Sequence, residues 1–129
     1  LKILIAEDNL LNQRVLQTLF KNAGFDIELA KNGEEAVKMA GKNTYDVIFM
    51  DIYMPELDGL QATRQLRNSD KDISIIAMTA SDDQKSRDEA FAAGMNDFIA
   101  KPVKIEDIKR ILIKWFSESI KNAPSHEST

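Results

Sequence analysis

The sequence predicts an α/β protein with a five-stranded parallel sheet and helices on both of its faces. Short apolar runs alternate five times with segments of helical periodicity, and most of these runs are apolar almost throughout. Strands of that kind are typical of parallel sheets buried on both faces. A chain of 129 residues is long enough for one domain with a full core.

Each strand is placed by an apolar run that ends at turn or polar residues. The first run, "KILIA", reads as a buried strand, and the second, "FDIELA", alternates as a strand should. The strands are expected at residues 2–6, 25–30, 47–50, 73–78 and 97–100. Crossovers between them should be right-handed.

The helices are placed by apolar residues at spacings of three and four. The first, over 9–24, carries two such sets: Leu11, Val15, Leu19 and Leu16, Phe20, Ala23. Asn32-Gly33 opens a second helix, Leu60, Thr63 and Leu66 mark a third, and a fourth covers 82–93 before Gly94. The last has an apolar stripe formed by Ile105, Ile108, Ile111, Leu112, Trp115 and Phe116.

Composition narrows the function classes. A net charge of −4 disfavours a nucleic-acid-binding protein, and residues after 117 offer no helix-turn-helix. The sequence has no cysteine, which fits a cytoplasmic location, and no apolar run long enough for a membrane span. We expect a domain over 1–117 and a polar, frayed tail over 118–129. Because the sequence starts at Leu1 without methionine, we expect it to be part of a longer polypeptide.

Polar side chains follow four of the five strands, at the point where each strand ends. Glu7 and Asp8 follow the first strand, Asp51 the third, Thr79 the fourth and Lys101 the fifth. Side chains at the carboxyl ends of strands in an open α/β sheet meet in one crevice. The sequence therefore predicts one site that contains acids, a hydroxyl and an ammonium group.

Three carboxylates at one place repel one another and need cations. Lys101 would supply one positive charge, and Mg²⁺ is the natural second because it binds carboxylates and phosphate oxygens together. An aspartate such as Asp51 can attack phosphorus, while Thr79 and Lys101 would stabilise the phosphoryl oxygens.

Each residue also has an ordinary structural interpretation. Asp8 or Asn9 could cap the first helix, and Glu7 and Asp51 could be solvated acids at the rim of the sheet. Thr79 could bond to backbone, and Lys101 could be a surface lysine. These explanations would have to hold independently at one edge of the sheet, which favours the single site.

Four stretches carry a resemblance to a known family. "ILIAEDN", "VIFMDIYMPELDG", "IIAMTA" and "FIAKP" resemble, in order and spacing, the signatures of the receiver domain of two-component response regulators. The resemblance covers about residues 1–117. It implies a flavodoxin-like fold with the strand order 2-1-3-4-5.

The resemblance also implies a role for each site residue. Asp51 would be the phosphoacceptor, and Thr79 and Lys101 would bind the phosphoryl group. Mg²⁺ would be bound by Asp8, Asp51 and the backbone carbonyl of Tyr53, with Glu7 acting through a water molecule. Asp58-Gly59 would start the third helix, with Asp58 as its N-cap.

Comparison with the same family gives three further expectations. The resemblance implies that the peptide bond between Lys101 and Pro102 is cis. Phe98 stands where the family has a switch aromatic, often tyrosine, although core packing on the fifth strand explains it too. Tyr53 departs from the family pattern, and its bulk would shield the acyl phosphate from water, which predicts a longer-lived phosphorylated form than in fast chemotaxis-type receivers.

Asn9, Asn12 and "AKNGEEAV" are similar to receivers of hybrid sensor histidine kinases, whose membrane tether would lie outside this domain. A stand-alone single-domain regulator is the alternative. The expected phosphoryl donor is a histidine kinase or a histidine phosphotransfer domain, since the one histidine, His126, lies in the polar tail. Output, including a homodimer, would use the face built from the fourth helix, fifth strand and last helix.

The domain would catalyse its own phosphorylation and dephosphorylation without being a turnover enzyme, and a parent polypeptide could be a histidine kinase. Two rivals come from other classes. A haloacid-dehalogenase-like phosphatase needs an acid two residues after its nucleophile, where this sequence has Tyr53. A flavodoxin-like cofactor binder needs a hydroxyl- and glycine-rich loop after the first strand, where this sequence has "AEDN".

Overall fold

Five strands alternate with five helices along the residues that the computed structural model describes, which are 1–54, 57–69, 72–80 and 83–121. The strands are β1 (Ile3–Ala6), β2 (Ile27–Ala30), β3 (Val47–Asp51), β4 (Ser74–Thr79) and β5 (Asp97–Ala100). The helices are α1 (Leu10–Asn22), α2 (Gly33–Lys42), α3 (Gly59–Asn68), α4 (Gln84–Ala93) and α5 (Ile105–Lys121).

The sheet is parallel throughout and has the order β2-β1-β3-β4-β5. β1 and β3 are fully buried, as expected for central strands covered on both faces. Ala6 of β1 pairs with Met50 of β3, so Glu7 and Asp51 leave their strands at the same level. The predicted fold class and strand order are confirmed.

Two core layers lie on opposite faces of the sheet. On one face, Leu16 and Phe20 of α1 pack with Ile108 and Leu112 of α5 and with alternate residues of the strands. On the other face, small residues of α2, α3 and α4 allow close packing against the remaining strand residues. Alternation along each strand therefore decides which helices a side chain meets.

Side-chain oxygens cap the helices that open near the sheet edges. Asn9 caps α1 by accepting from the Asn12 N–H, which resolves the choice between Asp8 and Asn9. Asp58 caps α3 in a capping box with Gln61, as predicted for Asp58. Gly94 ends α4 with φ 109°, a conformation that favours glycine.

Two features of the helices differ from the sequence expectation. The two apolar sets of α1 are buried to different extents: Leu16 and Phe20 are buried, whereas Leu11 and Val15 are exposed and only Leu19 of their set packs against the core. Helix α5 extends to Lys121, beyond the predicted boundary at 117, with non-helical dihedral angles at Phe116. The rest of the predicted tail, including His126, lies outside the described residues.

Over the described ranges, no helix combines the length and apolarity that crossing a bilayer requires.

Candidate functional site

Asp51 is the last residue of β3 and is 4% exposed. The apolar residues that precede it are fully buried, so the strand carries the carboxylate to the edge of the sheet without exposing it widely. Its Oδ2 accepts a hydrogen bond from Nζ of Lys101 at 2.9 Å, and its Oδ1 accepts the Tyr53 N–H at 3.2 Å. The carboxylate is therefore held in one orientation and paired with a cation.

Lys101 follows β5 and reaches back across the sheet edge to two acids. Its Nζ lies 2.9 Å from Asp51 Oδ2 and 3.4 Å from Glu7 Oε1. Its backbone N–H donates to the carbonyl of Thr79, which holds the start of the loop against β4. Burial alone would lower the pKa of Lys101, but hydrogen bonds and charges from Asp51 and Glu7 outweigh burial and raise it. The lysine is therefore an ammonium ion at neutral pH.

Glu7 and Asp8 complete an acidic group with Asp51. Glu7 is 1% exposed, and its Oε2 accepts the N–H of Asn9, the residue that also caps α1. Asp8 is exposed. One carboxylate oxygen from each acid lies within 4.8 Å of the others, the sole such metal-ligating group in the part of the chain that the structure describes.

This donor set fits Mg²⁺. The three ligand atoms are carboxylate oxygens, the hard donors that Mg²⁺ prefers, and they converge on one space. Lys101 supplies one positive charge against three carboxylates, so a divalent ion would balance the group. The exposure of Asp8 leaves one side of the group open to solvent.

The loop after Asp51 is held by a glycine. The Gly59 N–H donates to the carbonyl of Ile52 at 2.8 Å, and a Cβ at Gly59 would lie 2.2 Å from the carbonyl oxygen of Asp51. Only glycine allows the start of α3 to approach the Asp51 backbone so closely. Sequence reasoning assigned the Asp58-Gly59 pair to the start of a helix and missed this steric role.

Thr79 and Phe98 lie on β4 and β5, the two strands that follow β3 in the order of the sheet. Thr79 is the last residue of β4, is 2% exposed, and pairs with Ala100 of β5. Phe98 is partly buried against α4, where the Arg87 guanidinium carbon lies 4.7 Å from its ring centroid. The Phe91 ring meets that of Phe98 edge to face at 6.3 Å between centroids.

The sequence-predicted residues thus divide into two groups. Glu7, Asp8, Asp51 and Lys101 meet in one cluster. Thr79 ends the neighbouring strand, and Phe98 sits three residues before Lys101 with its ring towards α4. The Tyr53 side chain is 63% exposed beside the cluster, and the Lys101-Pro102 peptide bond is cis.

The chain is similar to many proteins of two-component signalling. It is 38% identical to hybrid signal transduction histidine kinase B of Dictyostelium discoideum, over 88% of this chain and 6% of that protein. It is 42% identical to two-component system protein A of Emericella nidulans, over 88% of this chain and 17% of that protein. The chain therefore spans only a small part of these curated relatives.

Solved structures give the same relationship. The receiver domain of a Pseudomonas aeruginosa sensor histidine kinase, solved with magnesium in its active-site cleft, is 40% identical with a TM-score of 0.82, over 90% of this chain and 97% of that one. A second match is the co-crystal structure of the Saccharomyces cerevisiae histidine phosphotransfer protein Ypd1 with the receiver domain of Ssk1. The matched chain is 31% identical with a TM-score of 0.86, over 92% of this chain and 90% of that one.

The sequence model of the response regulator receiver domain matches residues 3–113, which include β1 to β5 and most of α5. The four strand-end motifs, the strand order and the acidic cluster all lie inside this match. The match favours neither the phosphatase nor the flavodoxin-like binder considered from the sequence. The chain belongs to the family of response regulator receiver domains.

Proposed function

We propose that this domain accepts a phosphoryl group from a phosphohistidine onto Asp51 and works as a signalling switch. An oxygen of the Asp51 carboxylate attacks phosphorus, an O–P bond forms, and the P–N bond to the donor histidine breaks. The electron pair of that bond leaves with the imidazole nitrogen. Slow hydrolysis of the acyl phosphate then restores the carboxylate.

The observation that carries the proposal is the environment of Asp51. The carboxylate ends a buried strand, its Oδ2 is bonded to Lys101, and its oxygens lie beside those of Glu7 and Asp8. A purely structural ion pair would need neither the two further acids nor the open side at Asp8. Lys101 would move its hydrogen bonds to the phosphoryl oxygens, and Thr79 would supply a further donor from β4.

Asp8, Asp51 and the Tyr53 carbonyl would hold Mg²⁺, and Glu7 would act through a water molecule. When bound, the ion neutralises charge on the carboxylates and on the phosphoryl oxygens. The relative from Pseudomonas aeruginosa, which was solved with magnesium in its cleft, supports this assignment.

Phosphorylation by a small-molecule donor tests the proposal. The protein is incubated with acetyl phosphate and Mg²⁺, and intact mass is recorded over time. We expect one added phosphoryl group in the native protein and none in Asp51→Asn. Turnover of phosphomonoesters without accumulation of a phosphoprotein would contradict the proposal and favour a phosphatase.

The donor would dock on the exposed side of α1. Leu10, Leu11 and Val15, at the start of α1, expose 64%, 69% and 48% of their surface. A cleft of about 320 Å³ runs from Val15 past Pro102 to Lys101 and Glu7. Exposed apolar side chains around a charged reaction centre suit a protein partner that presents its phosphohistidine from a helix.

We further infer that the parent polypeptide is a hybrid sensor histidine kinase. The support is the similarity to hybrid kinases from Dictyostelium discoideum, each matched over a small share of its length. A stand-alone single-domain regulator is the alternative. Among proteins named as response regulators, mcs4 of Schizosaccharomyces pombe is 32% identical, over only 27% of its length. Phosphorylation of the parent polypeptide by ATP in the cytoplasm would distinguish the two possibilities, because a hybrid kinase phosphorylates itself and a stand-alone regulator does not.

A further inference from the structure

Asp97 is a buried carboxylate that forms a second charge cluster, with partly exposed partners on α5, at the opposite end of β5 from Lys101. It is the first residue of the strand and is 7% exposed. Its Oδ1 accepts the N–H of Phe98 at 2.8 Å, and its Oδ2 accepts Nζ of Lys114 at 2.8 Å and Nε1 of Trp115 at 3.0 Å. One carboxylate thus joins the strand to the far half of α5.

Asp97 is an anion in this environment. Burial by itself raises the pKa of the carboxyl group, but the bonds from Lys114, Phe98 and Trp115 together outweigh burial and hold the pKa below its ordinary value. A charged acceptor strengthens all three hydrogen bonds. The Asp97 carboxylate is therefore a charged hydrogen-bond acceptor that links β5 to α5.

β5 is consequently anchored by charge at both ends. At its carboxyl end, Lys101 bonds to Asp51 and Glu7, and at its amino end Asp97 bonds to Lys114 and Trp115. The strand between them has four residues, about 13 Å of extended backbone. A phosphoryl group on Asp51 would draw Lys101 into new hydrogen bonds. Because the strand is so short, we expect the displacement of Lys101 to reach Asp97.

The two helices beside β5 meet adjacent residues of the strand. Phe98 faces α4, where it contacts Arg87 and Phe91, whereas Asp97 faces α5. Because the Asp97 side chain accepts the Phe98 N–H, the backbone beneath the aromatic ring and the carboxylate move together. A change in the packing of Phe98 against α4 is therefore carried to the other face of the sheet.

The attachment lies immediately before the break in α5. Trp115 is followed by Phe116, whose dihedral angles, φ −134° and ψ 31°, interrupt the helix, and helical structure continues to Lys121. Lys114 and Trp115 thus attach the last residues of α5 before the break to β5.

We propose that the cluster of Asp97, Lys114 and Trp115 couples phosphorylation at Asp51 to the position of the end of α5. The proposal rests on the proposed function, because the movement starts at the phosphoacceptor. Asp97 is a positioning residue: it touches no reacting atom, and its role is to transmit a displacement of β5. The alternative is a static attachment that merely stabilises α5 on the sheet.

Trp115 is the one tryptophan of the sequence, so its indole reports this cluster alone. The experiment records the indole N–H signal in ¹H–¹⁵N spectra, and the tryptophan emission, before and after addition of Mg²⁺ and beryllium fluoride, which mimics an acyl phosphate. Acetyl phosphate and intact mass show in parallel whether Asp51 takes up a phosphoryl group. We expect the Trp115 signals to shift in the native protein and to stay fixed in Asp51→Asn.

Two variants separate coupling from static attachment. Asp97→Asn should keep phosphorylation but lose the shift of the Trp115 signals. Lys114→Met, at a side chain that is 58% exposed and whose loss the fold should tolerate, should weaken the shift in the same direction. The coupling is overturned if the Trp115 signals of the native protein do not shift on phosphorylation. It is also overturned if both variants show the same shift as the native protein. If Asp51 takes up no phosphoryl group at all, the proposed function fails and the coupling fails with it.

Discussion

The ammonium group of Lys101 lies 2.9 Å from Oδ2 of Asp51, although fifty positions separate the two residues in the sequence. The same ammonium is 3.4 Å from Oε1 of Glu7, a side chain that is 1% exposed. Lys101 is thus the cation that pairs with two buried acidic side chains at this edge of the sheet. Under the proposed function, the same ammonium group would also bind phosphoryl oxygens.

Replacing Lys101 by alanine should destabilise the protein in the absence of metal, because Asp51 and Glu7 would then repel each other. We expect the free energy of unfolding to fall by about 1–2 kcal/mol, less than for a fully buried pair because the lysine side chain is 25% exposed. Mg²⁺ should restore more stability to Lys101→Ala than it adds to the native protein. Urea denaturation with and without Mg²⁺ measures both effects.

Lys109→Ala is the matched control, since it removes the same charge from an exposed position of α5. It should change the free energy of unfolding by a few tenths of a kcal/mol at most. Equal losses in the two variants would show that general charge, and not the pairing with Asp51, accounts for the effect.

Magnesium should stabilise the folded protein through the acidic cluster. At a Mg²⁺ concentration ten times its Kd, binding to the folded state alone adds about 1.4 kcal/mol. Asp8→Asn should remove most of this gain because it withdraws one of the three converging carboxylates. Thermal denaturation over a Mg²⁺ series gives the gain, and Asp26→Asn, at an exposed acid before β2, should retain it in full.

Much of the fold and the cluster was predictable because local signals and tertiary position agree. Apolar strands followed by polar residues place Glu7, Asp51 and Lys101 at one edge once the strands are known to be parallel. The strand order followed only from the family resemblance, because nothing in an apolar strand identifies its neighbours.

Other features of the structure could not be predicted, because they depend on tertiary contacts that the local sequence does not indicate. Helical spacing puts Leu11 and Leu16 in equally regular sets, and only packing against α5 shows which set is buried. The glycine requirement at Gly59 comes from the approach of the Asp51 carbonyl. Asp97 was predicted only as a strand residue, since its partners on α5 follow 17 and 18 positions later.

Tyr53 should lengthen the life of the phosphorylated form. Tyr53 is 63% exposed, and its N–H is bonded to Asp51 Oδ1. We expect its bulk to hinder the approach of water to an acyl phosphate on Asp51. Tyr53→Asn should speed the loss of the phosphoryl group, followed by intact mass after removal of acetyl phosphate. Tyr53→Phe keeps the ring and should decay like the native protein. A native half-life of seconds that Tyr53→Asn leaves unchanged would refute the shielding role.

The exposed side of α1 should matter for a protein donor and not for a small one. Leu11→Ser removes a large apolar side chain that is 69% exposed, so folding should be unaffected. We expect slower phosphoryl transfer from a phosphorylated histidine phosphotransfer protein, for which Ypd1 of the solved complex is a practical probe, and an unchanged rate from acetyl phosphate. Ile113→Ser, on α5 and 55% exposed, is the control and should leave both rates unchanged. Equal slowing with both donors would place Leu11 outside the docking surface.

Asp97 should make a contribution to stability that disappears in acid. Its pKa in the folded protein lies below the ordinary carboxyl value, because bonds from Lys114, Phe98 and Trp115 outweigh the effect of burial. The stabilisation is therefore complete above the unfolded-state pKa of about 3.9, and is lost as the pH falls from there through the folded-state pKa. Urea denaturation of the native protein and of Asp97→Asn at a series of pH values measures it as the difference between their free energies of unfolding. We expect a constant difference from pH 7 to about pH 5, and a decrease towards zero below about pH 4. A difference that persists undiminished through that acid range would mean that the charge on Asp97 does not hold α5 to the sheet.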